Sequence, residues 1–81
     1  MKEVPINIAE IYVTAALKKS FDPAKANALA EERMEGADWR PIKVRKGEGR
    51  YVLIEGVHRM QASKALGDET IDAFVVSARK F

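Results

Sequence analysis

The chain has 81 residues, 47% hydrophobic and 32% charged, with no cysteine and a formal net charge of +2. That describes one small domain over residues 1–81, burying roughly 60% of the surface its unfolded form exposes. It excludes a disulfide framework, a cysteine-based zinc site and a cysteine nucleophile. No run approaches the ~20 apolar residues of a bilayer-spanning helix, and Met1-Lys2-Glu3-Val4-Pro5 lacks the apolar stretch of a secretory leader, so the expected location is the cytoplasm.

The opening Val4-Pro5-Ile6-Asn7-Ile8 alternates apolar and polar residues after its proline and predicts a half-buried strand, which Ile11-Tyr12-Val13 extend or follow. Asp22-Pro23 is a helix start: the aspartate caps free backbone donors, and a first-turn proline forfeits no intrahelical bond. That helix runs to about Met34, with Ala26, Leu29, Ala30 and Arg33 on one stripe and Gly36 as a left-handed stop. Pro41–Arg45 and Tyr51–Glu55 read as strands joined by the hairpin segment Lys46-Gly47-Glu48-Gly49-Arg50. After Gly56 a short helix is expected from about His58 to Leu66, packing through Ala62, Ala65 and Leu66 and ending at Gly67. Thr70–Val76 forms a last strand. The predicted class is α+β, a small mixed sheet with two main helices.

Charge is unevenly placed. Residues 1–39 carry 5 basic and 7 acidic groups, residues 40–64 carry 7 and 2, and residues 65–81 carry 2 and 3. The central third is therefore the candidate anion-facing region, or else a solvated basic face. Within it, Tyr51 to Gly67 places an apolar strand, a glycine, a His-Arg pair and a helix in succession. A helix N-terminus presents unpaired N–H groups and the positive end of the backbone dipole, which suit a phosphate. Gly56 allows a sharp turn and leaves room for a ligand, Arg59 offers a bidentate guanidinium, and His58 a further donor. The structural alternative is a turn glycine, a surface cation and a hydrogen-bonded histidine. The segment is neither a Walker A loop nor a GxGxxG fingerprint, a single histidine cannot form a histidine-rich metal site, and Ser20, Ser63 and Ser77 lack a GxSxG context.

Taken together, Pro41-Ile42-Lys43-Val44, Tyr51-Val52-Leu53-Ile54, Gly56-Val57-His58-Arg59, Ala62, Ala65-Leu66-Gly67 and Thr70-Ile71-Asp72-Ala73 resemble the ParB/sulfiredoxin superfamily in order and spacing. Val4-Pro5, Asp22-Pro23-Ala24-Lys25 and Gly56-x-His58-Arg59 resemble its sulfiredoxin branch. The resemblance implies that Lys25, His58 and Arg59 gather nucleotide phosphates with Gly56 shaping the pocket, and that the cofactor is a nucleoside triphosphate, CTP or ATP, with Mg²⁺. Val57 stands where sulfiredoxins have their reactive cysteine, so sulfinic-acid reduction is excluded. Ala28 and Glu32 replace hydroxyl-bearing residues of the sulfiredoxin helix, and where the partition proteins usually show Glu-Arg-Arg after the glycine, Val57-His58-Arg59 keeps only one arginine.

Three functions follow as expectations. The first is a nucleotide-binding module, a switch or NTPase, in partition or other DNA-associated systems. The second is a phosphotransferase similar to free-serine kinases, which needs a carboxylate base, with Glu10, Glu32 and Glu55 as candidates. The third is DNA binding or nuclease activity through Arg40, Lys43, Arg45, Lys46 and Arg50, with Tyr51 and Trp39 as the nearby aromatics. Trp39 reads equally as a core residue. A sequence ending soon after the last strand leaves any helix-turn-helix DNA reader to a downstream domain.

Overall fold

Alternation sets the sheet. Strands β1 (Glu3–Asn7), β2 (Ile11–Tyr12), β3 (Ile42–Gly47), β4 (Arg50–Glu55) and β5 (Thr70–Val76) form one five-stranded sheet in the order β1-β5-β3-β4-β2. The computed structural model describes residues 2–76. β1 runs antiparallel to β5 and β3 antiparallel to β4, whereas β5 is parallel to β3 and β2 parallel to β4. Ile6, Ile42, Val44, Leu53 and Ala73 point to one face and form the core with Ile8, Val13, Val57 and Met60. Ile42, Val44 and Leu53 are almost fully buried. Burying each such side chain contributes about 1.5–3 kcal/mol, which a domain this small needs.

Three helices accompany the sheet: α1 (Ala15–Lys19), α2 (Pro23–Met34) and α3 (Val57–Ala65). The Asp22 side chain accepts from the Ala24 N–H at 3.0 Å, as its cap position predicts. Both long helices end in the same way. Gly36 N–H reaches the Arg33 carbonyl and Ala37 N–H the Glu32 carbonyl, while Gly67 N–H reaches Lys64 and Asp68 N–H reaches Ser63. These paired bonds form a Schellman stop, and both glycines adopt the positive φ it requires.

Several expectations change. Of the two alternatives for Ile11-Tyr12, the segment follows β1 as a separate strand rather than extending it, and a 3₁₀ turn over Ile8–Glu10 carries the chain to the opposite edge, where it pairs with β4. The α1 helix was not anticipated, although Thr14 Oγ1 accepts from the Leu17 N–H at 3.4 Å and Ala-Ala-Leu-Lys-Lys are good helix formers. The hairpin strands run further than expected, to Gly47 and from Arg50, leaving a two-residue turn at Glu48-Gly49. The packing stripe of α3 is also displaced. Val57, Met60, Ala62 and Ser63 are buried and Ala65 is exposed, because α3 lies against both the sheet and α2 and so buries two faces. The α2 stripe holds: Ala26 is buried, and Leu29 and Ala30 are half-buried.

Candidate nucleotide-phosphate site

The turn from β4 into α3 is governed by Gly56. Its φ is +110°, a conformation that L side chains rarely adopt, and a Cβ there would lie 2.5 Å from Ile42 Cγ2. The room left by the missing side chain is therefore occupied by Ile42 of β3 rather than held open for a ligand. That contact pins the start of α3 onto the sheet. No side chain caps the helix, so the N–H groups of its first turn remain free to meet an anion.

His58, on that first turn, reaches across to α2. Its Nε2 accepts a 2.9 Å hydrogen bond from the Asp22 backbone N–H, and its ring stacks on Phe21 with centroids 5.4 Å apart. An accepting Nε2 places the ring proton on Nδ1, so His58 would donate through Nδ1 while its other nitrogen ties two helix N-termini together. Lys25 is exposed in the first turn of α2, three residues beyond the tied Asp22. Both helix dipoles thus begin within one small region, with Lys25 on one and His58 on the other.

Arg59 takes a different direction from the one its spacing suggested. Its Nη1 donates to the carbonyls of Arg40 and Pro41, at 2.9 and 3.1 Å, and anchors the segment leading into β3. Nη2 and Nε stay available on the same guanidinium.

The proposed carboxylate bases do not gather here. Glu10 is exposed in the 3₁₀ turn. Glu32 lies nine residues beyond Pro23, roughly 13 Å further along the helix axis. Glu55 lines a cavity with Arg59 but is paired with Lys43 Nζ at 3.5 Å. Among the described residues no three His, Asp or Glu side chains cluster as metal ligands.

At the opposite end of α3 the polar groups satisfy one another. Ser63, 1% exposed, donates to Asp68 Oδ2 at 2.6 Å, and Arg33 pairs with the same carboxylate. The Ser63 hydrogen bond, helped by Arg33, holds the Asp68 carboxyl below its ordinary value against the opposing effect of burial. The Arg33 guanidinium also lies 5.0 Å from the centre of the Trp39 ring, which is half-buried and so is no free stacking platform. Nothing in the sequence pattern flagged Ser63 or Asp68.

With this geometry in view, the sequence matches the ParB N-terminal domain over residues 1–80. The chain belongs to the ParB N-terminal domain family. A probable chromosome-partitioning protein ParB from Campylobacter jejuni is 38% identical over 58 residues, covering 72% of this chain and 21% of that protein. This ParB N-terminal domain therefore spans about a fifth of the length of that relative. Among solved structures it is similar to sulfiredoxin from Arabidopsis thaliana, with TM-score 0.82, 24% identity and coverage of 96% of this chain and 88% of that one. It is also similar to a C-terminally truncated ParB from Caulobacter crescentus complexed with CTP-gamma-S, with TM-score 0.81, 19% identity and coverage of 99% and 47%. A free serine kinase variant in complex with ADP gives TM-score 0.79 at 22% identity, covering 94% and 31%. These three likenesses establish the ParB/sulfiredoxin fold. No helix among the described residues is long and apolar enough to cross a membrane.

Proposed function

We propose that this ParB N-terminal domain is a nucleotide-phosphate-binding module of a DNA-partition system, holding CTP or ATP with Mg²⁺ where α2 and α3 begin. The observation that carries the reading is the Asp22 N–H bond to His58 Nε2. It sets the uncapped N-terminus of α3 beside the start of α2, which Asp22 caps and which bears Lys25, so one free helix dipole and a cation address one anion. Free N–H groups of the first α3 turn, His58 Nδ1–H, Lys25 and the unused Arg59 nitrogens would donate to phosphate oxygens, and charge-assisted bonds of this kind are the strong ones. Magnesium would neutralise the oxygens the protein leaves uncovered. The complexes of related folds with CTP-gamma-S and ADP support the choice of ligand class. Binding that biases a mobile partner domain would make the module a switch within a longer chain. Glu10 and Glu32 lie apart from these donors, and Glu55, which shares a cavity with Arg59, is paired with Lys43, which favours binding over phosphoryl transfer.

Isothermal titration against CTP, ATP, ADP and GTP tests the proposal. Binding that weakens in Lys25→Ala and Arg59→Ala variants is expected, while a folded chain that takes up none of them at millimolar concentration would contradict it.

A further inference from the structure

The helices pack on the face of the sheet that carries the core; on the other face Tyr12, Arg45 and Arg50 are exposed, and Val52 between them is buried. The composition of that face follows from the register. Val76 pairs with Arg45, Arg45 with Val52 and Val52 with Tyr12, giving one outward row across β5, β3, β4 and β2. Val52, Phe74 and Val76 lie outside the core cluster, as outward residues should. At strand spacings of nearly 5 Å, the row spans about 15 Å.

Charge is divided on this face. Outward positions of β1 and β5 carry Glu3 and Asp72, whereas the β3–β4–β2 half carries Lys43, Arg45 and Arg50. Lys43 is paired with Glu55, but Arg45 makes no ion pair with any described residue. Arg50 lies flat over Tyr12, its guanidinium carbon 4.2 Å from the ring centre, and Tyr12 is 41% exposed. A guanidinium stacked on an aromatic is a planar, charged platform against which an unpaired base can stack. Arg45, one strand away, is placed for the backbone that joins such bases, and the Val52 and Val76 side chains floor the row.

We infer that this outer sheet face, centred on Tyr12, Arg45 and Arg50, binds single-stranded nucleic acid. The surface combines an exposed arginine–tyrosine stack with positive charge on one sheet face. Among the described residues no helix lies on this face, and the stacked Tyr12–Arg50 pair suits unpaired bases, so the expected preference is for single strands over duplex. The face is separate from the phosphate site, which lies where the helices begin on the other side of the sheet.

The test is fluorescence anisotropy of a labelled oligothymidylate and of a duplex of equal length, with the wild-type chain at low and moderate salt. Salt-sensitive binding of the single strand, roughly tenfold weaker in Arg45→Glu and Arg50→Glu, is expected. Charge-matched Lys19→Glu and Lys64→Glu variants on the helix side should bind as the wild type does. Tyr12→Phe should retain binding and Tyr12→Leu should lose it, with circular dichroism confirming that each variant is folded. Excess CTP should leave the affinity unchanged. Equal losses in the helix-side variants, duplex binding as tight as single-strand binding, competition by CTP, or no binding at all would each overturn the assignment. So would sedimentation showing that Arg45→Glu dissolves a dimer of the free chain, since the face would then belong to a second copy.

Discussion

The two ends of α3 are built from similar residue types and handled in opposite ways. At its C-terminal end a glycine stop satisfies the last carbonyls, and Ser63, Asp68 and Arg33 close on one another. At its N-terminal end a glycine again reverses the chain, but no side chain caps the helix, and the nearest polar group, His58, spends one nitrogen on α2. Polar groups that satisfy each other stabilise and close a region; donors left without partners at a fixed position define a place for a ligand. The difference separates what holds this domain together from what it binds.

The sharpest way to break the comparison is through its two glycines. Gly56→Ala must force a Cβ against Ile42 and hold an alanine at φ +110°, which should cost about 3 kcal/mol or more and unfold a domain of this size in thermal melts. Gly67→Ala meets nothing within 4 Å and carries only the cost of its φ of +86°, about 1 kcal/mol. A similar loss at both positions would show that Gly56 is merely a turn residue.

Asp68 offers a second test. Ser63→Ala or Asp68→Asn should cost roughly 1–2 kcal/mol in denaturant unfolding, allowing for the partial exposure of the carboxylate. The folded carboxyl sits below its ordinary value. Its stabilisation is therefore complete above the unfolded value near 3.8, and is lost as pH falls through the lower folded value. Wild-type stability should fall in that acid window and Asp68→Asn stability should fall less. His58→Ala removes an acceptor and a ring stack, with an expected loss of about 1 kcal/mol. Its larger effect should be on nucleotide affinity, because the start of α2 would no longer be tied to the first turn of α3. An affinity change at Ser63→Ala as large as that at His58→Ala would erase the distinction between the two ends.

The strand alternation at 42–45, the apolar run at 51–54, the Asp22-Pro23 start and the Gly36 and Gly67 stops were legible because each rests on local sequence pattern or backbone chemistry. The α1 helix escaped because five residues give no periodicity, leaving only the Thr14 cap and the helix propensity of Ala-Ala-Leu-Lys-Lys as signals. The transfer of Ile11-Tyr12 to the far edge depends on pairing with β4, a contact separated by some forty residues. Within the site, the segment from Gly56 to Arg59 was located correctly as a strand-to-helix turn, but side-chain direction was not readable. Nothing local tells Arg59 to hold the Arg40 and Pro41 carbonyls, or His58 to accept from Asp22. Residues 77–81, with Ser77 among them, lie outside the described residues.

The central claim is that nucleotide phosphates settle where α2 and α3 begin. Amide chemical-shift mapping of the isotope-labelled chain during titration with magnesium CTP tests it most directly. The account predicts that the amides of Val57, His58, Arg59 and Lys25 move together and saturate, while those of Ser63 and Asp68 stay in place. Shifts confined to the Ser63–Asp68 end, or none at millimolar nucleotide, would contradict it.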